Sequence, residues 1–139
     1  MLSSIAARPL ASIAELRIAV LVPCYNEEVT ISKVVTDFAA CLPDAKIYVY
    51  DNNSSDRTVA VSRAAGAVVR REMLQGKGNV VRRMFADIEA DAYVLVDGDD
   101  TYEASDAIRM IDLLVEGQLD IVTGVRVTTI DAAYRSGHR

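Results

Sequence analysis

Three carboxylates crowd into four consecutive residues, Asp97-Gly98-Asp99-Asp100, with Thr101 next. Carboxylates this close repel one another, and all stay ionised most easily with a divalent cation among them. The residues just before them, Tyr93-Val94-Leu95-Val96, are apolar and β-favouring and read as a buried strand. A strand running straight into Asp-Gly-Asp suggests a metal site at the C-terminal edge of a parallel sheet. That edge is where open α/β sheets bind their ligands. Gly98 has no side chain, which would let a ligand pass close to the backbone. The plainer alternative is a solvated turn, because Asp-Gly favours turns.

A calcium loop of the EF-hand kind does not fit, since its sixth position would be Tyr102 and its twelfth Ile108. A phosphotransfer enzyme of the haloacid dehalogenase kind is a third alternative. Its signature resembles Asp97-x-Asp99-x-Thr101 after an apolar strand. Such an enzyme carries that signature on an early strand and needs a later lysine, whereas no lysine follows Thr101. The order of the elements therefore argues against it.

The elements that must position the carboxylates alternate in type. Arg17 to Val22 is a short apolar run, expected to be a strand covered on both faces and to stop at Pro23, which cannot donate to a ladder. Asn26 is expected to cap a helix over 29–41, with Glu27 and Glu28 in its first turn and apolar Val29, Ile31, Val34, Val35, Phe38 and Ala39 at the spacing of an inner face. Lys46 to Tyr50 is the second strand, followed by the polar run Asp51-Asn52-Asn53-Ser54-Ser55-Asp56-Arg57-Thr58 and a helix over 56–65 closed by Gly66. A short third strand is expected at 67–70, then a loop holding Gly76-Lys77-Gly78. A helix over 79–90 would bury Val80, Val81, Met84, Phe85 and Ile88. The strand at 92–96, a helix over 103–116 closed by Gly117, and a fifth strand at 119–125 complete the pattern. Such alternation predicts an α/β fold with a mostly parallel sheet, Rossmann-like, with helices on both faces.

Composition narrows the function classes. The 139 residues are 51% hydrophobic and 25% charged, which suits one globular domain, with 1–16 as leader, 17–127 as the domain and 128–139 as tail. A net charge of −5 argues against a nucleic-acid partner. Cys24 and Cys41 match neither a redox pair nor a zinc set and read as reduced, partly buried thiols of a cytoplasmic protein. His138, the one histidine, reads as a terminal residue without a catalytic role.

Three strand ends carry polar signatures, at 23–28, 51–58 and 97–101, and in a parallel sheet they share one edge. Lys77 and open helix N-termini there suit phosphate. Carboxylates bridged by magnesium or manganese suit a diphosphate, and Tyr25 could pack on a base. Together these loops imply a nucleoside-diphosphate ligand. The glycine-rich dinucleotide fingerprint and the P-loop are both missing from the sequence.

In order and spacing, Val22-Pro23-Cys24-Tyr25-Asn26-Glu27-Glu28, Asp51 to Thr58, Gly76-Lys77-Gly78 and Asp97-Gly98-Asp99 resemble the nucleotide-sugar half of family-2 glycosyltransferases. The nearest likeness is to the dolichol/polyprenyl-phosphate mannose synthase branch, and it covers about residues 17–126. The resemblance implies a GT-A fold and a sugar donor of the GDP-mannose or UDP-glucose type. It also implies a polyprenyl-phosphate or glycan acceptor, and a place at the inner face of the membrane through a further C-terminal part. It places Pro23, Tyr25 and Glu27 on the nucleoside, Asp51 and Asn53 on base or ribose, and Lys77 and Arg126 on phosphate. It makes Asp97, Gly98 and Asp99 the metal-binding and sugar-nucleotide motif, with Asp97 and Asp99 as the catalytic pair. Some relatives carry a metal-binding Gln where this chain has Thr101. A binding module without transfer activity is the alternative reading. A homodimer is also expected, pairing through the apolar edge near Val122, Val125, Val127 and Ile130.

Overall fold

The computed structural model of the chain describes residues 15–124. Four strands, β1 (Ile18–Cys24), β2 (Lys46–Asp51), β3 (Val68–Arg71) and β4 (Ala92–Leu95), alternate with four helices. The helices are α1 (Ile31–Cys41), α2 (Thr58–Ala64), α3 (Lys77–Asp87) and α4 (Ser105–Glu116). The strands form one parallel sheet in the order β3-β2-β1-β4.

The two faces follow from the two-residue period of a strand. Ile18, Val20, Val22 and Cys24 of β1 and Ile47 and Val49 of β2 join the larger apolar cluster. There they meet Ile31, Val34, Val35 and Phe38 of α1 and Ala107 and Ile111 of α4. The alternate residues Ala19, Leu21 and Tyr50 face the other way and pack with Val80 and Met84 of α3 and with Ile88. Helices thus cover both faces, as the continuous apolar run of β1 predicts.

Several boundaries differ from the sequence expectation, each for a physical reason. β1 runs through Pro23, which pairs in register with Tyr50. The Leu21 carbonyl, two residues back and on the same side of the strand, faces β4 and accepts from Val96, where the pairing with β4 ends. The N–H that Pro23 lacks would therefore point past the end of that ladder, so nothing is lost. Asn26 does not cap α1, whose N-cap is Thr30, and Val29 is exposed rather than inward. α3 starts two residues early, so Lys77 and Gly78 lie in its first turn behind an N-cap Gly76 at φ 125°.

β4 is not a fully buried strand. Tyr93 and Leu95 are exposed, and Phe85, expected inside, meets the Tyr93 ring edge-on with centroids 5.0 Å apart. Among the described residues β4 is an edge strand, paired only with β1, and the buried residues of α3 pack on β1 and β2. Gly117 is the C-cap of α4, as expected, at φ −84°. Gln118 takes φ 52°, with Leu119 N–H bonded to the Leu114 carbonyl and Gln118 N–H to that of Val115. This is the paired closure of a Schellman turn. Residues 119–124 of the expected fifth strand are not in a strand, and its last residue, Val125, lies outside the described residues. So do Arg126, Val127, Ile130, the tail and most of the leader.

Candidate active site

The chain passes from β1 outward to β2 and β3, then returns to place β4 on the other side of β1. The loops leaving β1 and β4 therefore lie side by side at the C-terminal edge, both leading to helices on the same face of the sheet, and the seam between them is the crevice of the candidate site. Thr30 bridges it: its Oγ1 donates to the Gly98 carbonyl at 2.6 Å and lies 3.4 Å from Glu27 Oε2. The hydroxyl that could have capped α1 is spent on the acidic loop instead, and α1 has no side-chain cap.

The acidic loop is held from several directions. Gly98 is buried, and a Cβ there would lie 2.7 Å from Cys24 Sγ and 3.4 Å from both Glu27 Cγ and Ile31 Cδ1. The missing side chain is thus required by packing against β1, and not only by a ligand's approach. Asp99 is exposed, and its Oδ1 accepts from the Thr101 hydroxyl at 2.7 Å and the Thr101 N–H at 3.2 Å. Thr101 therefore orients Asp99 rather than standing free as a further ligand. Asp100 turns the chain at φ 60° and accepts from Lys33 Nζ at 3.2 Å. Asp97 is ion-paired with Lys77 from the start of α3.

The loop after β2 is tied to both neighbours. Asp51 is 1% exposed; its Oδ2 accepts from the Ser54 N–H at 3.0 Å, while its Oδ1 has no partner among the described residues. An unsatisfied buried oxygen is uncommon and costly, by about 1–3 kcal/mol, so this atom is a candidate acceptor for a donor beyond the described residues. Asn52 is buried and fully used. It donates to the Glu72 and Leu74 carbonyls at 2.8 and 2.9 Å, and accepts from Gly76 N–H at 2.8 Å and Gln75 Nε2 at 3.3 Å. Asn53, at φ 67°, donates to the Met73 carbonyl and to Gln75 Oε1. It ties the same loop, a structural job beside any contact with a nucleotide.

Loops β1–α1 and β2–α2 lock together. Asn26, at φ 51°, accepts from the Ser55 N–H at 2.9 Å, and its own N–H donates to Ser54 Oγ at 2.8 Å. Glu27 N–H donates to Thr58 Oγ1 at 2.8 Å. Pro23 is buried in β1, whereas Tyr25 is exposed beside these loops, free to pack on a planar group. Asn and Asp tolerate the left-handed region better than other side-chain-bearing residues, which explains their use at the three turns. Thr30, Asn52 and Thr58 were not singled out from sequence. Their types are common in any loop, and only the fold shows which atoms they join.

Charge at the crevice is only partly compensated, by Lys77 on Asp97 and Lys33 on Asp100. Burial pushes the Cys24 thiol well above its ordinary range, and Glu27, Asp51, Asp97 and Asp56 all add to the effect. These carboxylates therefore surround one buried sulfur. Glu27 is itself held above the usual carboxylate range, by burial first and then by Asp99. Among the described residues, no group of three or more His, Cys, Asp or Glu side chains converges enough to hold a metal alone. The donor set fits a hard cation that takes one or two carboxylates and completes its shell with phosphate oxygens and water.

A sequence profile described as glycosyl transferase family 2 matches residues 19–139. The chain belongs to that family. Protein RfbJ of Shigella flexneri is 56% identical over 123 residues, covering 88% of this chain and 95% of RfbJ. A dolichyl-phosphate hexose transferase of Haloferax volcanii is 32% identical over 111 residues, covering 80% of this chain and 48% of that protein. Glucosyl-3-phosphoglycerate synthase of Mycobacterium tuberculosis, solved with Mn2+, UDP-glucose and phosphoglyceric acid, has a TM-score of 0.68 at 26% identity. That match covers 80% of this chain and 46% of the synthase. The chain thus spans nearly all of RfbJ but about half of the other two. With these neighbours the α/β architecture is a GT-A fold, and the phosphotransfer alternative falls away. Among the described residues no helix is long and apolar enough to cross a membrane.

Proposed function

We propose that this family-2 domain binds a nucleoside-diphosphate hexose with a divalent metal and transfers the hexose to a polyprenyl phosphate or a glycan. The observation that carries the reading is the buried Asp51 Oδ1, without a partner among the described residues, beside the crevice edged by Glu27, Asp97 and Asp99. A carboxylate oxygen so placed suits the ring N–H of a uracil or a guanine, and exposed Tyr25 suits the face of the same base. Lys77 and the uncapped N-terminus of α3 suit the diphosphate. Asp97 and Asp99 would hold Mg2+ or Mn2+, whose charge would stabilise the leaving diphosphate. Arg126, outside the described residues, is assigned to phosphate by the family motif alone.

In the transfer step an acceptor oxygen attacks the anomeric carbon in line, and the bond from that carbon to the diphosphate breaks. A lipid phosphate oxygen is already anionic and needs little help from a base. The Haloferax relative, named for dolichyl phosphate and a hexose, supports this acceptor class, and the solved neighbour supports UDP-glucose and Mn2+ as first probes. The test is transfer of labelled hexose from UDP-glucose or GDP-mannose to polyprenyl phosphate. Turnover that needs Mn2+ and is lost in Asp99→Ala is the expected result. A second reading is donor binding without transfer. Donor binding with no turnover on any acceptor would select it.

A further inference from the structure

We propose that Lys77 makes metal binding depend on the nucleotide diphosphate by occupying Asp97 until phosphate draws it away. The proposal rests on the donor-site reading above and adds an order to it. Lys77 is the first residue of α3, an 11-residue helix whose N-cap Gly76 offers no side chain and whose first turn holds no acidic residue. A cation at the positive end of a helix is disfavoured unless an anion is close. In this structure that anion is the Asp97 carboxylate.

Both side chains are largely accessible, at 60% and 40%, so the pair is of the weak, readily exchanged kind. The backbone beneath Lys77 is not free to follow, because buried Asn52 accepts from the Gly76 N–H and holds the Glu72 and Leu74 carbonyls. The ammonium can swing while its anchor stays. One carboxylate cannot serve an ammonium and a divalent cation equally well at once. Metal and Lys77 therefore compete for Asp97, while Asp97 and a diphosphate compete for Lys77. A diphosphate that takes Lys77 frees Asp97 for the metal. By linkage, metal on Asp97 releases Lys77 to the diphosphate.

The test uses the whole chain and Mn2+ binding followed by electron paramagnetic resonance, with and without UDP or GDP. Lys77→Met is compared with Lys77→Arg, which keeps the charge. Lys46→Met removes a charge at the opposite end of the sheet, where Lys46 opens β2 beside Ala19. In Lys77→Met, Mn2+ alone should bind tighter by up to about fivefold, the upper end expected for losing a competing surface ion pair. The nucleotide should bind more weakly, and the factor by which it tightens Mn2+ should shrink. Lys46→Met should keep wild-type values, and Lys77→Arg, which keeps a cation for both anions, should move each quantity less than Lys77→Met does. A merely structural lysine would weaken both ligands when lost. Mn2+ alone binding no tighter to Lys77→Met, or equally tighter to Lys46→Met, overturns the coupling while wild-type binding of Mn2+ with nucleotide leaves the donor site standing. No Mn2+ binding by the folded wild type, with or without nucleotide, overturns both.

Discussion

Replacing Gly98 by alanine tests how the acidic loop is held. Its φ lies outside the left-handed region, so alanine meets no backbone penalty and the effect is one of space alone. The new methyl would sit 2.7 Å from Cys24 Sγ, roughly 1 Å inside an ordinary van der Waals contact. The sulfur cannot swing aside, since Cys24 is a 3% exposed residue at the end of a central strand with a single side-chain torsion. The loop must move instead, against the Thr30 bond to the Gly98 carbonyl. Overpacking of this kind costs about 1–3 kcal/mol, and the rigidity of the neighbour favours the upper half of that range. Cys24→Ala alone leaves a small void and should cost about 1 kcal/mol. In the double variant the Gly98 methyl enters the space vacated by sulfur. Its total cost should not exceed that of Cys24→Ala, a coupling of about 2 kcal/mol. Urea unfolding of the four proteins measures this directly. Additive costs would refute the packing argument, and with it the claim that β1 sets the position of Asp97 and Asp99.

Other expectations follow from the same geometry. Asp99→Ala should remove metal-dependent binding yet leave the melting temperature of the metal-free protein within about 3 °C of wild type or above it, because one of several repelling carboxylates is gone; a large fall would make Asp99 structural. Glu27 has a raised native pKa, so it is protonated more readily folded than unfolded. Its contribution to stability is therefore present at low pH and lost as pH rises through its native titration, and Asp99→Ala should shift that titration down in carboxyl NMR. An unmoved Glu27 would mean that the two carboxylates do not share the crevice. The accessible edge of β4 with Tyr93 and Leu95 should support a homodimer, read by light scattering as twice the 15.1 kDa chain mass; a monomer at micromolar concentration counts against it.

Much of the architecture is legible in the sequence because periodicity reports burial. The unbroken apolar run of β1 marks a strand covered on both faces, and the spacing of Ile31, Val34, Val35 and Phe38 marks the inner face of α1. The clustering of motif loops at one edge follows from a parallel sheet alone. What periodicity cannot report is which polar group a polar residue joins. Asn26 has the right type for a helix cap but is used to lock two loops, and Thr30 gives its hydroxyl to Gly98. Edge position is equally hidden. The apolar run of β4 looks like a buried strand, and its exposure depends on what lies beyond it in the sheet. The end of β1 is hidden for another reason: a proline costs a ladder only where the ladder continues, and beside Pro23 the pairing with β4 has already ended.

The central claim is that the loops at the C-terminal edge form a sugar-nucleotide site completed by a metal. Calorimetric titration of the wild-type chain with UDP-glucose and GDP-mannose, each with and without Mn2+, tests it most directly. The account predicts that at least one of the two binds, more tightly with Mn2+, and that Asp51→Ala weakens it by removing the buried acceptor at Oδ1. A folded protein that binds neither nucleotide sugar under any of these conditions would contradict it.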